Sequence, residues 1–385
     1  MSKKKVLYYM PDNPLKGKGG NLTRCNQMLT YFQKNCNTLD VTFIFSMDWD
    51  EESEQAFNLK YPDLNLKIFQ FKMSKSNLFK YLIKDKIPKE LNKAFNKNAL
   101  DLTTPYFRGI FKKEIQDHHY DIVIISYSTW GNLIDGIQGP YFILDTHDFM
   151  TLQYKINYED SIDFDIGKLF KNEMNVLEKY NEIWTYSLEE HFIFDQFINS
   201  NVKLLPVSSP IRVDNQSVDV RYSVLYVASD NYHNVNSINW FINHVLPLLG
   251  DIKIYIVGNI CSKIENEERI IKLGIVDDLD TIYQRSKITI CPMLTGTGVK
   301  IKVLESLSYG LPVVTTRRGV DGLVNKSQNG CLIANEEKEF ARYILKLLSD
   351  QIFYTQHQIE ARLYFEKHHH PELETQFLDK TFMEV

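Results

Sequence analysis

Residues 291–324 read CPMLTGTGVKIKVLESLSYGLPVVTTRRGVDGLV, and the order of signals in this stretch decides the fold. The apolar run Lys287-Ile288-Thr289-Ile290-Cys291-Pro292 reads as a buried strand that stops at Pro292. Gly296-Thr297-Gly298 follows, a loop whose backbone amides can approach a ligand closely. From Val299 to Tyr309 apolar residues recur at helical spacing, with Ile301, Val303, Leu304 and Leu307 inward and Gly310 as the stop. Leu311 to Thr316 is the next strand, entered through Pro312. Strand, glycine loop, helix and strand make a βαβ unit whose loop lies at the carboxyl edge of a parallel sheet. The amides of Gly296, Thr297, Gly298 and Val299, together with the positive helix end, suit a diphosphate.

The helix carries a second signal. Lys302, Glu305 and Tyr309 fall at i, i+3 and i+7, which gives one polar stripe away from the apolar face. Lys302, with Lys300 beside it, could offset phosphate charge, and Glu305 could accept two hydrogen bonds from vicinal hydroxyls such as those of a ribose. The same spacing also describes a surface Lys–Glu pair worth roughly 0.2–0.5 kcal/mol. Spacing alone leaves both readings open.

A resemblance separates them. Gly296 to Glu305, then Tyr309-Gly310-Leu311-Pro312-Val313-Val314-Thr315-Thr316 and Gly319-Val320-Asp321-Gly322-Leu323, closely resembles the donor-site motif of family 4 glycosyltransferases, the glycosyl transferases group 1. Leu225-Tyr226-Val227-Ala228-Ser229, His233-Asn234, Trp240-Phe241, Leu246-Pro247, Leu273 to Leu279 and Tyr283 resemble the same family in its order, so the likeness covers about residues 222–345. It implies a retaining, metal-independent hexosyltransferase with no cofactor. It also implies an α/β GT-B fold: two Rossmann-like doubly wound domains facing across a cleft, with a C-terminal helix returning to the first. The donor would be a UDP-sugar or GDP-sugar. Glu305 would hold the ribose, and the base would lie near Gly274-Ile275-Val276, with Ser229 and Asn234 as weaker members of the site. One position departs from the pattern. Many members carry two glutamates eight positions apart; here the second is Glu305 and the first is Thr297, which leaves the sugar contact open.

Composition sets the outer bounds. A chain of 385 residues with 44% hydrophobic and 24% charged residues has the make-up of a globular protein of two or three domains. Net charge −5 gives no reason to expect nucleic acid as partner. Five scattered cysteines without C-x-x-C spacing argue for a reducing compartment and against a zinc site. The lysine-rich start leads straight into a strand, and no apolar run reaches about 18 residues. The expectation is therefore a cytoplasmic protein, at the inner face of the membrane if it meets a membrane at all.

Upstream, Val6–Met10, Val41–Met47, Leu66–Phe71, Asp121–Ser126, Tyr141–Leu144, Ile183–Tyr186 and Lys203–Val207 read as strands. Gly19 and Gly20 precede a helix over 21–34; the family places a glycine loop here beside donor phosphates and acceptor, while the plain alternative is a strand-to-helix connection. His147-Asp148 follows the fifth strand and resembles the family's active-site His-Asp segment, which implies that the histidine approaches the transferred sugar. Between Lys75 and Lys97 seven lysines face Asp85 and Glu90, interleaved with Leu78, Phe79, Tyr81, Leu82, Ile83 and Phe95. That pattern fits a solvated helix face or a peripheral contact of 75–97 with an anionic membrane, where lipid-linked or glycan acceptors are met. Asp48-Trp49-Asp50, leading into an acidic loop, and Asp163-Phe164-Asp165 look like metal motifs of the other large glycosyltransferase fold, and His368-His369-His370 reads as a turn; none is expected to bind metal.

The expected organisation is an acceptor domain over 1–210, a nucleotide-sugar domain over 211–370 and a terminal helix over 371–385 packing back on the first. The expected reaction is sugar transfer with retention to a glycan or lipid-linked acceptor, in bacterial surface polysaccharide synthesis. Alternatives are an idle GT-B homologue serving as a binding subunit, a sugar epimerase or a phosphorylase.

Overall fold

A computed structural model describes residues 3–16, 19–95, 100–158, 164–210, 212 and 219–383, except the side chains of 92–95 and 157–158. Gly17-Lys18, Lys97, Asp163 and most of the expected linker around 211–218 therefore lie outside the described residues. The backbone divides into two compact units, Met1–Thr185 with Glu190–Leu204, and Tyr186–Glu189 with Leu205–Val385.

The first unit is built on seven parallel strands: β1 Lys4–Tyr9, β2 Leu39–Phe45, β3 Asn65–Ile68, β4 Ile122–Ser126, β5 Tyr141–Asp145, β6 Glu182–Thr185 and β7 Asn201–Leu204. Their order across the sheet is β3-β2-β1-β4-β5-β6-β7. The chain builds outward from β1 to β3, then returns beside β1 and builds the other way, with Val6 opposite Ile122. The point of reversal lies between β1 and β4. Parallel strands covered on both faces should be apolar throughout, and all five residues of β4 are buried. Tyr9, Phe107, Phe111 and Trp130 pack edge to face on one side, with ring centroids 4.9–6.1 Å apart.

The second unit repeats the plan with six parallel strands: β8 Tyr222–Val227, β9 Ile254–Val257, β10 Ile270–Gly274, β11 Ser286–Cys291, β12 Val313–Thr315 and β13 Cys331–Ile333. The order is β10-β9-β8-β11-β12-β13, so the reversal falls between β8 and β11, with Ile288 opposite Val224. Ile288 and Ile290 are almost fully buried, and side chains of this kind contribute about 1.5–3 kcal/mol each when taken out of water. In open α/β sheets the crevice beyond the strand ends at such a reversal is where ligands collect.

Two expectations are corrected and two strands are added. The acidic run after Asp50 is the helix Glu51–Lys60, because Asp50 accepts the Ser53 N–H and acidic residues fill the first turn. The histidine run is the end of the helix Gln351–His369, and only His370 breaks it before Pro371 opens the helix to Met383. β10 and β13, unmarked in the sequence, extend the second sheet. The basic stretch is helical from Leu78 to Phe95, with one π-turn at Leu82–Lys86. Pro88 explains the π-turn, since it lacks an N–H and would clash with a carbonyl one regular turn back.

Candidate functional site

The glycine loop sits at the carboxyl end of β11, beside the end of β8. Gly296 (φ +101) and Gly298 (φ +70) adopt left-handed conformations that side-chain-bearing residues resist, so this path needs glycine. Lys300 is the extended residue before the helix Ile301–Ser308, and its carbonyl accepts the Val303 N–H at 2.8 Å. The first amides of that helix have no carbonyl within it to bond, which leaves donors at the loop. Lys300 Nζ turns back to donate to the carbonyls of Thr297 (3.0 Å) and Gly298 (2.8 Å), bracing the loop from within. Gly322 (φ +85) packs directly against Val299. Its N–H donates to Glu189 at 2.8 Å, and Glu189 is ion-paired with Lys326.

The polar stripe of the helix is half-buried rather than solvated. Lys302 Nζ donates to Asn234 Oδ1 at 2.7 Å and lies 5.0 Å from the ring centre of Tyr226. Asn234 in turn donates to the Ser229 carbonyl at 3.0 Å and hydroxyl at 3.2 Å, so Ser229, Asn234 and Lys302 form one chain across the β8–β11 reversal. Burial pushes the Lys302 ammonium below its usual pKa, the response of a cation taken partly out of water. Glu305 accepts the Tyr283 hydroxyl at 3.0 Å, and burial raises its carboxyl above the usual range against the pull of that bond, Arg212 and Lys302. Tyr283 stacks on Tyr309 with ring centres 4.9 Å apart, and the Tyr309 hydroxyl meets both Arg212 and Asp280. Ile275 is 70% exposed just beyond β10, next to Gly274 (φ +71), whose carbonyl accepts the Gly258 N–H at 2.8 Å. Thr297 lies partly exposed in the loop itself. The structure thus brings Ser229, Asn234, Lys302, Glu305 and the Gly296–Val299 loop to one sheet edge. Tyr283 was missed by the sequence reading as a working residue; its distance from Glu305 in the chain hid it.

In the first unit the reversal between β1 and β4 carries a different arrangement. His147, two residues past β5, has φ +57, and Tyr127, one past β4, has φ +67. Both are conformations that non-glycine residues rarely hold. Their rings lie 4.6 Å apart at 30°. His147 Nε2 stands 3.3 Å from the fully buried Asp145, and its side chain is 4% exposed. Burial lowers the His147 pKa despite Asp145, with Arg24 lowering it further and Asp12 opposing, which favours the neutral ring. Asp148 donates its N–H to the Thr146 carbonyl at 2.6 Å, tightening the turn that aims the histidine. Asp12, at the end of β1, accepts from Asn21 at 3.1 Å, and its carboxyl is raised by burial. Gly19 caps the helix Gly20–Lys34 with extended backbone, and both glycines stand at this same edge. Asp12, Arg24 and Tyr127 carried no signal in the sequence, because only the sheet order brings them to His147.

The metal look-alikes have structural roles. Asp50 caps the helix Glu51–Lys60 and is ion-paired with Lys16, and Asp165 accepts the Lys168 N–H as the cap of Ile166–Leu177. His369 is buried and hydrogen-bonds the Val207 carbonyl at 2.8 Å; burial lowers its pKa to about 4. Among the described residues no group of three or more His, Cys, Asp or Glu is placed to hold a metal ion. No helix among them is long and apolar enough to cross a membrane.

Comparison with known proteins agrees with this layout. Residues 221–350 match the sequence model of the family described as Glycosyl transferases group 1. A curated relative, an uncharacterized 44.6 kDa protein in the cps region of Klebsiella pneumoniae, is 30% identical over 158 residues. The match spans 37% of this chain and 40% of that protein. Among solved structures, HepE from Anabaena, in complex with UDP and glucose, is 12% identical with a TM-score of 0.68 over 98% of this chain and 99% of its own. Sucrose-phosphate synthase from Thermosynechococcus elongatus is 11% identical at a TM-score of 0.68, covering 99% of each chain. A glycosyltransferase from Rickettsia africae is 14% identical at 0.66, covering 100% of this chain and 99% of its own. Two parallel-sheet Rossmann-like domains of the GT-B fold are what these likenesses establish, and the match to the Glycosyl transferases group 1 model lies within the second unit.

Proposed function

We propose that the chain is a glycosyltransferase that moves a hexose from a UDP-sugar to a glycan or lipid-linked acceptor, with retention and without a metal ion. The observation that carries this is the β11 edge: a glycine-dependent loop, a helix start, a half-buried ammonium and a half-buried carboxylate within one motif that matches the group 1 family. The loop amides and Lys302 take the diphosphate, and Glu305 takes the ribose hydroxyls. Bond cleavage places negative charge on the leaving diphosphate, so these fixed donors act where charge develops. His147, neutral and wedged against Tyr127, positions the transferred sugar as a hydrogen-bonding group. UDP is favoured over GDP because HepE has been seen with UDP and with UDP-glucose. The relative from a cps region fits a role in building surface polysaccharide.

The basic helical stretch supports a peripheral membrane contact at the cytoplasmic face. Leu78 (62%), Phe79 (73%), Ile83 (50%), Ile87 (47%) and Leu91 (51%) are exposed within a few turns of Lys80, Lys84, Lys86 and Lys89. Apolar side chains with interleaved cations match an anionic lipid surface. Replacing Lys80, Lys84 and Lys89 with Glu should abolish co-sedimentation with anionic vesicles at low salt, at about 1 kcal/mol per charge. Binding that survives all three changes refutes the contact.

The primary test is a titration of the protein with UDP, GDP and their sugars, followed by NMR of the product anomer in the presence of a chelator. Binding of UDP and an α-product from an α-donor are expected. Inversion, or activity that needs added metal, overturns the mechanism.

A further inference from the structure

The diphosphate reading leaves one group at the β11 edge without a task. His233 is the second residue of the helix Tyr232–Trp240, which opens after β8 under the Asn231 cap. β8 neighbours β11, so this helix start stands beside the glycine loop. His233 Nδ1 lies 2.8 Å from the Thr295 hydroxyl, the residue just ahead of Gly296. A side chain at Gly296 would begin 3.7 Å from His233 Cγ and 3.9 Å from Cδ2. The imidazole edge that leads to Nε2 therefore runs along the loop. A second tie fixes the same pair of segments: Ser237 Oγ donates to the His233 carbonyl at 2.6 Å and accepts the Leu294 N–H at 3.1 Å. Nε2 has no hydrogen-bond partner among the described residues, and the side chain is only partly buried.

A neutral imidazole carries one N–H, and the bond at one nitrogen decides where it sits. Burial and the Lys300 ammonium both disfavour the cationic form of this ring. A Thr295 hydroxyl that donates to Nδ1 places the proton on Nε2, on the edge that faces the loop, and this is the tautomer the inference assigns. We propose that His233 is a further donor-binding residue, giving its Nε2–H to a phosphate oxygen of the nucleoside diphosphate and held in that tautomer by Thr295. The inference rests on the glycine loop being a diphosphate cradle. His233 adds a directed donor there without another full charge, complementing Lys302, which bonds the neighbouring Asn234.

The test is calorimetric titration of the full chain with UDP and with uridine, which share base and ribose but not the phosphates. His233→Ala should weaken UDP about tenfold, the scale of one hydrogen bond to a charged group, and leave uridine within about twofold. His233→Gln, which keeps an N–H donor, should recover most of the loss. Glu305→Ala should weaken both ligands. Histidine-selective 15N spectra of the wild type should show Nε2–H at His233, and Thr295→Val should relax that preference. UDP affinity unchanged in a folded His233→Ala, with Glu305→Ala still impaired, overturns the inference and spares the cradle. Equal loss of UDP and uridine in His233→Ala assigns the ring to packing and also overturns it, as does an Nδ1–H tautomer. Failure of the wild type to bind UDP, with Glu305→Ala indistinguishable from it, removes the cradle and the inference together.

Discussion

The two sheet reversals solve one problem by opposite means. At the β8–β11 edge the backbone is shaped by residues that can take any φ, and Gly296 and Gly298 bend without strain. At the β1–β4 edge the backbone is bent at Tyr127 and His147, residues that resist the left-handed region, and the surrounding packing holds them there. The first arrangement offers main-chain donors, which suit a ligand group with many equivalent oxygens. The second aims one side chain, which suits a single hydroxyl or ring atom. The proposed binding role of the second unit and the proposed positioning role of His147 rest on that difference.

The largest effect that could break this division is on turnover. His147→Ala should lower kcat by about 10²-fold or more, the range for a positioned polar group at the reacting centre. UDP affinity should move by less than about 0.5 kcal/mol, as for a change remote from the nucleotide. A mutant that loses UDP binding, or one that keeps full turnover, contradicts the separation of roles. The second outcome would make the buried, strained histidine a structural residue only.

Next in size is the loss at the other edge. Glu305→Ala should weaken UDP by roughly 1–3 kcal/mol, because a carboxylate that accepts hydroxyl hydrogen bonds is removed from a half-buried place. Titration of the folded mutant with unchanged affinity would take Glu305 out of the site. It would leave its raised carboxyl pKa as a consequence of burial with no ligand to explain it.

How far each edge was legible follows from where its signals lie. The β11 edge could be read because strand, loop, helix and strand are consecutive, and glycine spacing and helical periodicity are local. The lower-contrast parts of the same sheet were not: β10, with Arg269 and Lys272 in and beside it, and three-residue β13 carry too little apolar pattern. The helix Glu51–Lys60 was hidden because Glu51, Glu52 and Glu54 look like loop residues until Asp50 is seen to cap them. His147 is legible from its place just past a strand and from a family likeness, with Asp145 two residues before it. Asp12, Arg24 and Tyr127 come from three other segments, and sequence spacing holds no record of their meeting with it.

The smallest predicted effect sharpens the assignment of Glu305. The Tyr283 hydroxyl donates to Glu305, and its own pKa is pushed far up by burial, so it remains a donor at any working pH. Burial raises the Glu305 pKa, while the Tyr283 bond favours the charged form and holds that rise back. In the proposed binding mode ribose hydroxyls donate to the carboxylate, so UDP affinity should fall as pH drops through the Glu305 pKa. Tyr283→Phe keeps the stacking on Tyr309 and removes only the hydroxyl. The Glu305 pKa should then rise further, and the acid limb of UDP binding should move to higher pH. At neutral pH the loss should be about 0.5–1.5 kcal/mol, one ordinary hydrogen bond. Titrations across pH on both proteins check this. A limb that stays in place, or moves to lower pH, means that Glu305 does not meet the ribose as a carboxylate oriented by Tyr283.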